Sequence, residues 1–259
     1  MKQYYFAAAS LPTLQFMQTP AMNFHEFVVM AKMNVSNDDL KQLQTMRLFY
    51  DIQNIRSLLK NESFDLRGNL NQVELEESII SKVGLPYYVH EFLDRYETKE
   101  QRLQHFPAAT SAYFKNEISR SHGFLKQYLI FERAWRLVLT GLRAKKLGRK
   151  VEKEIQFEDP NDDLIAQLLA QKDSNSFIPP SGFHELLPIF EKSAEEPLEL
   201  HKNLCEYRFN KITEMTGIDL FSISYILSYM ALLIIAEKWI ELDQKKGDAI
   251  LSIANKDLA

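Results

Sequence analysis

Cysteine, glycine and proline are all scarce in this sequence. Of 259 residues only one is cysteine, Cys205, which excludes a disulfide framework and any cysteine-based zinc site. A single thiol fits a reducing cytoplasm. The eight glycines and nine prolines are about half the usual share. A β-sandwich or a doubly wound α/β protein needs far more turn residues than that. No alternation of apolar and polar residues outlasts four or five positions. The chain is long enough to bury a sizeable core, and 46% hydrophobic with 25% charged residues excludes wholesale disorder.

The motifs that carry common chemistries are missing as well. There is no Gly-Lys pair for a phosphate loop and no Gly-x-Gly for a dinucleotide fold. His25-Glu26 and His184-Glu185 begin like a zinc-protease helix, but the position four after each histidine is Val29 and Pro188. Asp159, Asn161 and Asp163 are spaced like calcium-loop ligands. Leu164 stands where that loop needs glycine, and Ala170 where it needs a bidentate glutamate. No Gly-x-Ser-x-Gly elbow occurs. We therefore expect no catalytic residue, no metal and no cofactor.

What is present is helical periodicity. The fold class read from it is all-α, a multi-helix bundle forming a single domain over residues 1–259, with the loop 173–182 as a hinge. Asn23 caps a helix ending near Lys32, and Ser36 with Asp39 opens another whose stripe is Leu48, Ile52, Ile55 and Leu59. A third covers 73–83, stopped by Gly84 and Pro86, and a fourth 87–96. One long pattern spans 109–147, with a break at Gly123 and a stop at Gly148. Trp135 lies on its apolar stripe. Pro160 is placed at a first helical position. Residues 195–215 and 221–246 close the chain, with Gly247 as the last stop, and an extended piece at 2–6 is the one candidate strand.

Two segments bear on location. The N-terminal apolar stretch, Tyr4–Ala9, is too short for a secretory signal core. Leu220–Ala236 is a run of 17 residues without a charge, at the short edge of what spans a bilayer. Ser224, Ser228 and Ala231 form a small-residue stripe along it, so we expect a helix buried against another helix.

The net charge of −4 conceals a split. Residues 99–153 carry 13 basic and 4 acidic side chains, and residues 154–200 carry 2 basic and 11 acidic. Two candidate partner-binding patches follow: Arg143, Lys145, Lys146, Arg149 and Lys150, and Asp159, Asp162 and Asp163. The same residues could neutralise each other across a hairpin. Arg133 and Arg136 extend the basic stretch.

Four segments carry a resemblance: Tyr4–Pro12; Asp51-Ile52-Gln53-Asn54-Ile55-Arg56 running to Lys60; Phe131–Arg136 continuing through Leu142–Arg149; and Phe221–Asp243, ending at Gly247. Together they resemble a bacterial family encoded within V-type ATPase operons. That family is in turn similar to the V/A-type ATPase subunit that caps the membrane proteolipid ring at the foot of the central stalk. The shared pattern is an acidic residue, then Asn-Leu-Lys, Leu-Leu-Arg and a Lys-Gly exit. Asp51 with Asn54 matches it well, Glu132 with Trp135 loosely, and Glu237 with Trp239 least. The resemblance implies degenerate threefold helical repeats. It implies a non-catalytic adaptor that links central-stalk subunits to the membrane proteolipid ring, peripheral on the cytoplasmic face of the inner membrane. It implies no small-molecule substrate and no nucleic acid. Two other readings stay open: a nucleic-acid or regulatory binding protein using residues 133–153, and an α-helical enzyme whose site is assembled in space.

Overall fold

The computed structural model describes residues 2–174, 176–193 and 195–257, with side chains through residue 242. Among the described residues there are thirteen helices and no strand. The all-α expectation therefore holds. Of the piece 2–6 expected to be extended, Tyr5 and Phe6 instead open α1 (Tyr5–Ala9), where Ala7 and Ala8 are buried. Three consecutive alanines favour the helix over the strand.

Local sequence sets the boundaries. Asn23 accepts the Glu26 N–H and Glu26 answers the Asn23 N–H, a capping box that opens α2 (Phe24–Asn34). α3 (Asn37–Lys60) ends where Asn61 takes φ +56°, a left-handed stop. A second capping box, Asn71 with Glu74, opens α4 (Gln72–Ser81), and Lys82 follows in the left-handed region. Pro86 precedes α5 (Tyr87–Arg95), and a Thr98–Gln101 box opens α6 (Lys99–Gln104).

The long pattern 109–147 is two helices, α7 (Phe106–Arg120) and α8 (Gly123–Lys146). They part at Ser121-His122, and Gly123 has φ +56°. Beyond α8 the Arg149 N–H reaches the Ala144 carbonyl at 2.8 Å while Gly148 holds φ +62°, a Schellman stop. α9 (Val151–Glu154) and α10 (Asp163–Leu169) follow. Pro160 does not begin a helix, contrary to the sequence expectation. Asp162 takes the Leu164 and Ile165 N–H groups and so moves the start to Asp163. The chain closes with α11 (Leu186–Ser193), α12 (Pro197–Met215) and α13 (Ile223–Asp257). Gly247 does not stop α13. One glycine costs a helix only about 1 kcal/mol relative to alanine.

Contacts divide the chain into two compact units, 1–40 with 193–259, and 41–192. The loop 173–182, expected as the hinge, lies inside the second unit, and its residue 175 is outside the described residues.

In the first unit α13 packs against α12, α2 and α1. The apolar run is buried over much of its length: Ile226, Leu227, Met230, Leu233, Ile234 and Ala236 are almost inaccessible. The helix begins at Ile223, so Leu220 and Phe221 lie outside it and are exposed. Residues 223–242 are long and apolar enough to cross a membrane, and 61% of the apolar window is buried within the protein. Ser228 is buried and bonds the Thr216 hydroxyl of the segment after α12. Phe16 sits between Phe209 and Trp239, with ring centroids 5.9 and 5.8 Å away.

Tyr229 stacks on Phe27 at 5.6 Å, and its buried hydroxyl has no hydrogen-bond partner among the described residues. Burial first, and Tyr225 second, push its ionisation up to about 12. The native state thus holds this proton to higher pH than the unfolded chain. The resulting stabilisation is complete below the ordinary tyrosine value and is lost as pH rises through about 12. Tyr229→Phe removes the orphaned hydroxyl and keeps the ring. We expect thermal stability equal to or above wild type at neutral pH, by up to about 1 kcal/mol. Loss of stability in a melting curve would mean that the hydroxyl has a solvent partner.

In the second unit α8 supplies the centre. Leu125, Leu129, Trp135, Val138, Leu139 and Leu142 are buried at helical spacing, with α7 and α9 packed against the helix. Trp135 is core, as its place on the stripe requires.

Candidate functional site

The eight residues expected to meet a partner all lie in the second unit, but several have internal roles. Lys145 Nζ donates to the carbonyls of Lys172 and Ser174 at 2.6 and 2.7 Å, anchoring the start of the 173–182 loop to α8. Lys146 Nζ lies 6.0 Å from the centre of the Phe190 ring on α11. Arg149 reaches Glu154 at 3.6 Å. Arg143, Lys146, Arg149 and Lys150 are exposed, although burial of part of the Arg143 side chain lowers its guanidinium pKa. On the acidic side, Asp159 Oδ1 accepts the Asn161 backbone N–H and side-chain amide, which shapes the turn around Pro160. Asp162 caps α10 with one oxygen and takes Arg133 with the other. Asp163 sits in the first turn of α10, where the helix dipole favours a carboxylate.

Arg133 is the organising cation of this region. Its Nε and one terminal nitrogen donate to Glu158 Oε2 at 3.0 and 2.7 Å, and the other terminal nitrogen donates to Asp162 Oδ2 at 2.9 Å. Only 17% of its side chain and 11% of the Glu158 side chain are exposed. Burial acts to lower the guanidinium pKa, but the hydrogen bonds and charges of Glu158 and Asp162 outweigh it and hold the group above its ordinary value. Arg133 thus braces the α9–α10 connection against α8.

A second polar assembly lies in the motif segment of α3. Asp51 and Asn54, about one helical turn apart, are both almost fully buried. Asp51 accepts the Leu70 N–H at 3.0 Å and the Asn69 amide at 2.7 Å. The Asn54 amide pairs with the Asp65 backbone, donating to its carbonyl and accepting its N–H, both at 2.8 Å. Arg47 Nε donates to the Arg67 carbonyl at 3.1 Å, and its Nη2 donates to the Gly68 carbonyl. The result is a clasp in which three side chains of α3 hold the loop 65–70. Burial pushes the Asp51 carboxyl up, opposed by the N–H of Leu70, by Asn69 and by the Arg47 charge. Burial likewise lowers Arg47, opposed by Asp51. A similar device occurs in the first unit, where Glu237 of α13 accepts the Phe24 N–H at 2.6 Å. Glu132, the second acidic residue of the motif set in chain order, is buried in α8 with Arg136 at 3.3 Å.

The sequence alone marks Asp51 and Asn54 as a motif but does not reveal what they hold, because Leu70 is 19 residues away. Glycine at 68 is the available signal: a Cβ there would stand 2.4 Å from Asp51 Oδ1.

A cavity of about 10 Å³ lies among Phe49, Tyr50, Tyr113, Tyr128, Glu132 and Arg136. That admits about one water molecule and no organic substrate. Among the described residues no three His, Cys, Asp or Glu side chains are grouped to hold a metal ion.

Comparison with other proteins places the chain among bacterial relatives matched end to end. A protein of Chlamydia muridarum (strain MoPn / Nigg), described as an uncharacterized protein, is 25% identical over 264 residues, covering 100% of this chain and 99% of its own length. One of Chlamydia trachomatis serovar D, described in the same words, is 25% identical over 266 residues with the same coverage. A third, from Chlamydia pneumoniae, is 25% identical over 262 residues, covering 99% of this chain and 98% of its own length. No solved structure matches. The match to the family described as "Protein of unknown function (DUF2764)" runs over residues 1–256, and the chain belongs to that family.

Proposed function

We propose that this chain is a non-catalytic adaptor of a V-type ATPase or ATP synthase, joining the central-stalk subunits to the membrane proteolipid ring. It would act from the cytoplasmic face of the membrane. The observation that carries the reading is the Asp51–Asn54 clasp. The motif that carries the resemblance to the ring-capping ATPase subunit is spent wholly on fixing a loop to a helix. Glu237, at the corresponding point of the weakest match, also takes a backbone N–H from a distant segment. A body that transmits rotation needs stiffness, and carboxylates that pin distant backbone supply it. Asp51 and Glu237 brace distant backbone in this way, whereas Glu132 pairs with Arg136 one turn along α8.

The exposed cations Arg143, Arg149 and Lys150 remain the better candidates for meeting the stalk, because Lys145 is committed to the carbonyls of Lys172 and Ser174. The direct test is affinity purification of the tagged chain from native membranes. Rotor subunits are expected in the eluate, and their consistent absence overturns the adaptor role. The triple variant Arg143→Glu, Arg149→Glu, Lys150→Glu should slow capture of purified stalk by about tenfold or more at low ionic strength, with the difference shrinking in high salt. Unchanged capture would move the interface elsewhere on the surface.

A further inference from the structure

Helix α4 carries two of its four large apolar residues, Val73 and Ile80, on its outward side. Leu75 and Ser78 face the interior, as a packed helix requires. Its outward face is Val73, Glu76, Glu77 and Ile80, at i, i+3, i+4 and i+7, and Val73 and Ile80 are 63% and 83% exposed. The chain continues through Val83, 70% exposed, to Tyr87 at the start of α5, 80% exposed. Of the eight large apolar side chains exposed among the described residues of 41–192, five lie between Leu66 and Tyr87. Scattered exposed leucines and valines are ordinary, but a concentration on one helix and its following turn marks a contact surface.

The charges around these residues sum to a negative value, because each cation nearby has a carboxylate partner. Lys82 is held by Asp94 at 2.6 Å, and Arg95 by Glu91 at 3.0 Å. Glu74 is occupied in the capping box. That leaves Glu76, which takes the Gln72 amide, and Glu77 among the apolar side chains. Phosphate-bearing surfaces, whether nucleic acid or anionic lipid, are repelled by such a face.

We propose that the outer face of α4, Val73, Glu76, Glu77 and Ile80, docks a cationic amphipathic helix of another protein, with Val83 and Tyr87 the exposed apolar residues that follow it in the chain. The partner's apolar stripe covers Val73 and Ile80, and its Lys or Arg residues meet Glu76 and Glu77. Helix against helix suits the i, i+3, i+4, i+7 layout, and the carboxylates fix the sign of the partner and its register. This surface does not depend on the adaptor reading, since it requires a cationic helical segment and not a particular assembly.

The test begins in the native cell, with Ile80 replaced by benzoylphenylalanine in the full chain, and light used to join it to its neighbour. The cross-linked segment should be helical in period, apolar on one face and rich in Lys or Arg. It is then made as a peptide and titrated against purified protein. Binding should weaken at least about tenfold in Glu76→Lys/Glu77→Lys and again in Ile80→Asp, and should fall as salt rises. All three positions are exposed, so circular dichroism of these variants should match wild type. Attachment to lipid, to a second copy of this chain or to nothing overturns the proposal. So does a cross-linked peptide whose affinity ignores the two glutamate reversals. A cationic helical partner from outside the ATPase supports the surface while leaving the adaptor reading to its own experiment.

Discussion

Gly68→Ala is expected to lower stability by about 2–4 kcal/mol, a large loss for a single methyl group on a loop. The added Cβ would lie 2.4 Å from Asp51 Oδ1 and 3.2 Å from Asn54 Nδ2. Neither neighbour can move freely. Asp51 is fixed by Leu70 N–H and Asn69, and Asn54 by both polar atoms of the Asp65 backbone. Relieving the clash means withdrawing Asp51, which takes the partner from the part-buried Leu70 N–H. A double-mutant cycle isolates the cause. Asp51→Ala alone should cost a similar amount, and adding Gly68→Ala to it should cost little more, because the clashing oxygen is gone. Urea unfolding midpoints with unchanged slopes would read this out. Full additivity of the two losses would sink the clasp as a coupled unit.

Proton linkage gives the same site a second signature. Burial raises the Asp51 pKa, so the native state keeps this proton to higher pH than the unfolded chain does. Its contribution is complete below the ordinary aspartate value and declines as pH climbs through the raised native value. Asp51→Asn removes that contribution. Wild type minus Asp51→Asn stability should therefore fall with rising pH above about 4, the ordinary aspartate range.

Helix boundaries are legible in the sequence wherever one short-range interaction decides them. Asn23 and Asn71 each find a glutamate three residues on, and both boxes form. Gly148 supplies the left-handed stop that its place after three cations suggests. The burial of residues 226–236 follows from a charge-free run containing small residues at helical spacing. Failures arise where the deciding partner is distant or the element is short. α6 has six residues and α9 four, too few for a periodic pattern to register. Pro160 misleads because Asp162, two residues later, caps the helix more effectively. Arg133 looks like one more surface cation, since Glu158 is 25 residues away and only the fold brings it near. The polar clasp is half legible: its α3 side is a motif, and its loop side carries no signal beyond a glycine.

Arg133→Met should destabilise the protein by about 3 kcal/mol, although the new side chain is apolar and of similar length. The loss comes from what remains. Glu158, with 11% of its side chain exposed, would be left without the guanidinium that bonds it twice, and Asp162 would lose one of its partners. Arg133→Lys keeps the charge but cannot reach both carboxylates with a planar fork, so an intermediate loss of about 1–2 kcal/mol is expected. Removing the stranded charge should recover much of the stability: Arg133→Met with Glu158→Leu is expected to lie closer to wild type than Arg133→Met alone. Hydrogen exchange would locate the damage. Amides of 157–165 should exchange faster in Arg133→Met, while those of the first half of α8 keep their protection, because the brace joins the α9–α10 connection to α8 and not the helix to itself. If Arg133→Met melts like wild type and Glu158→Leu rescues nothing, Arg133 is a solvated cation after all. Its charge would then return to the basic surface that Arg143, Arg149 and Lys150 form.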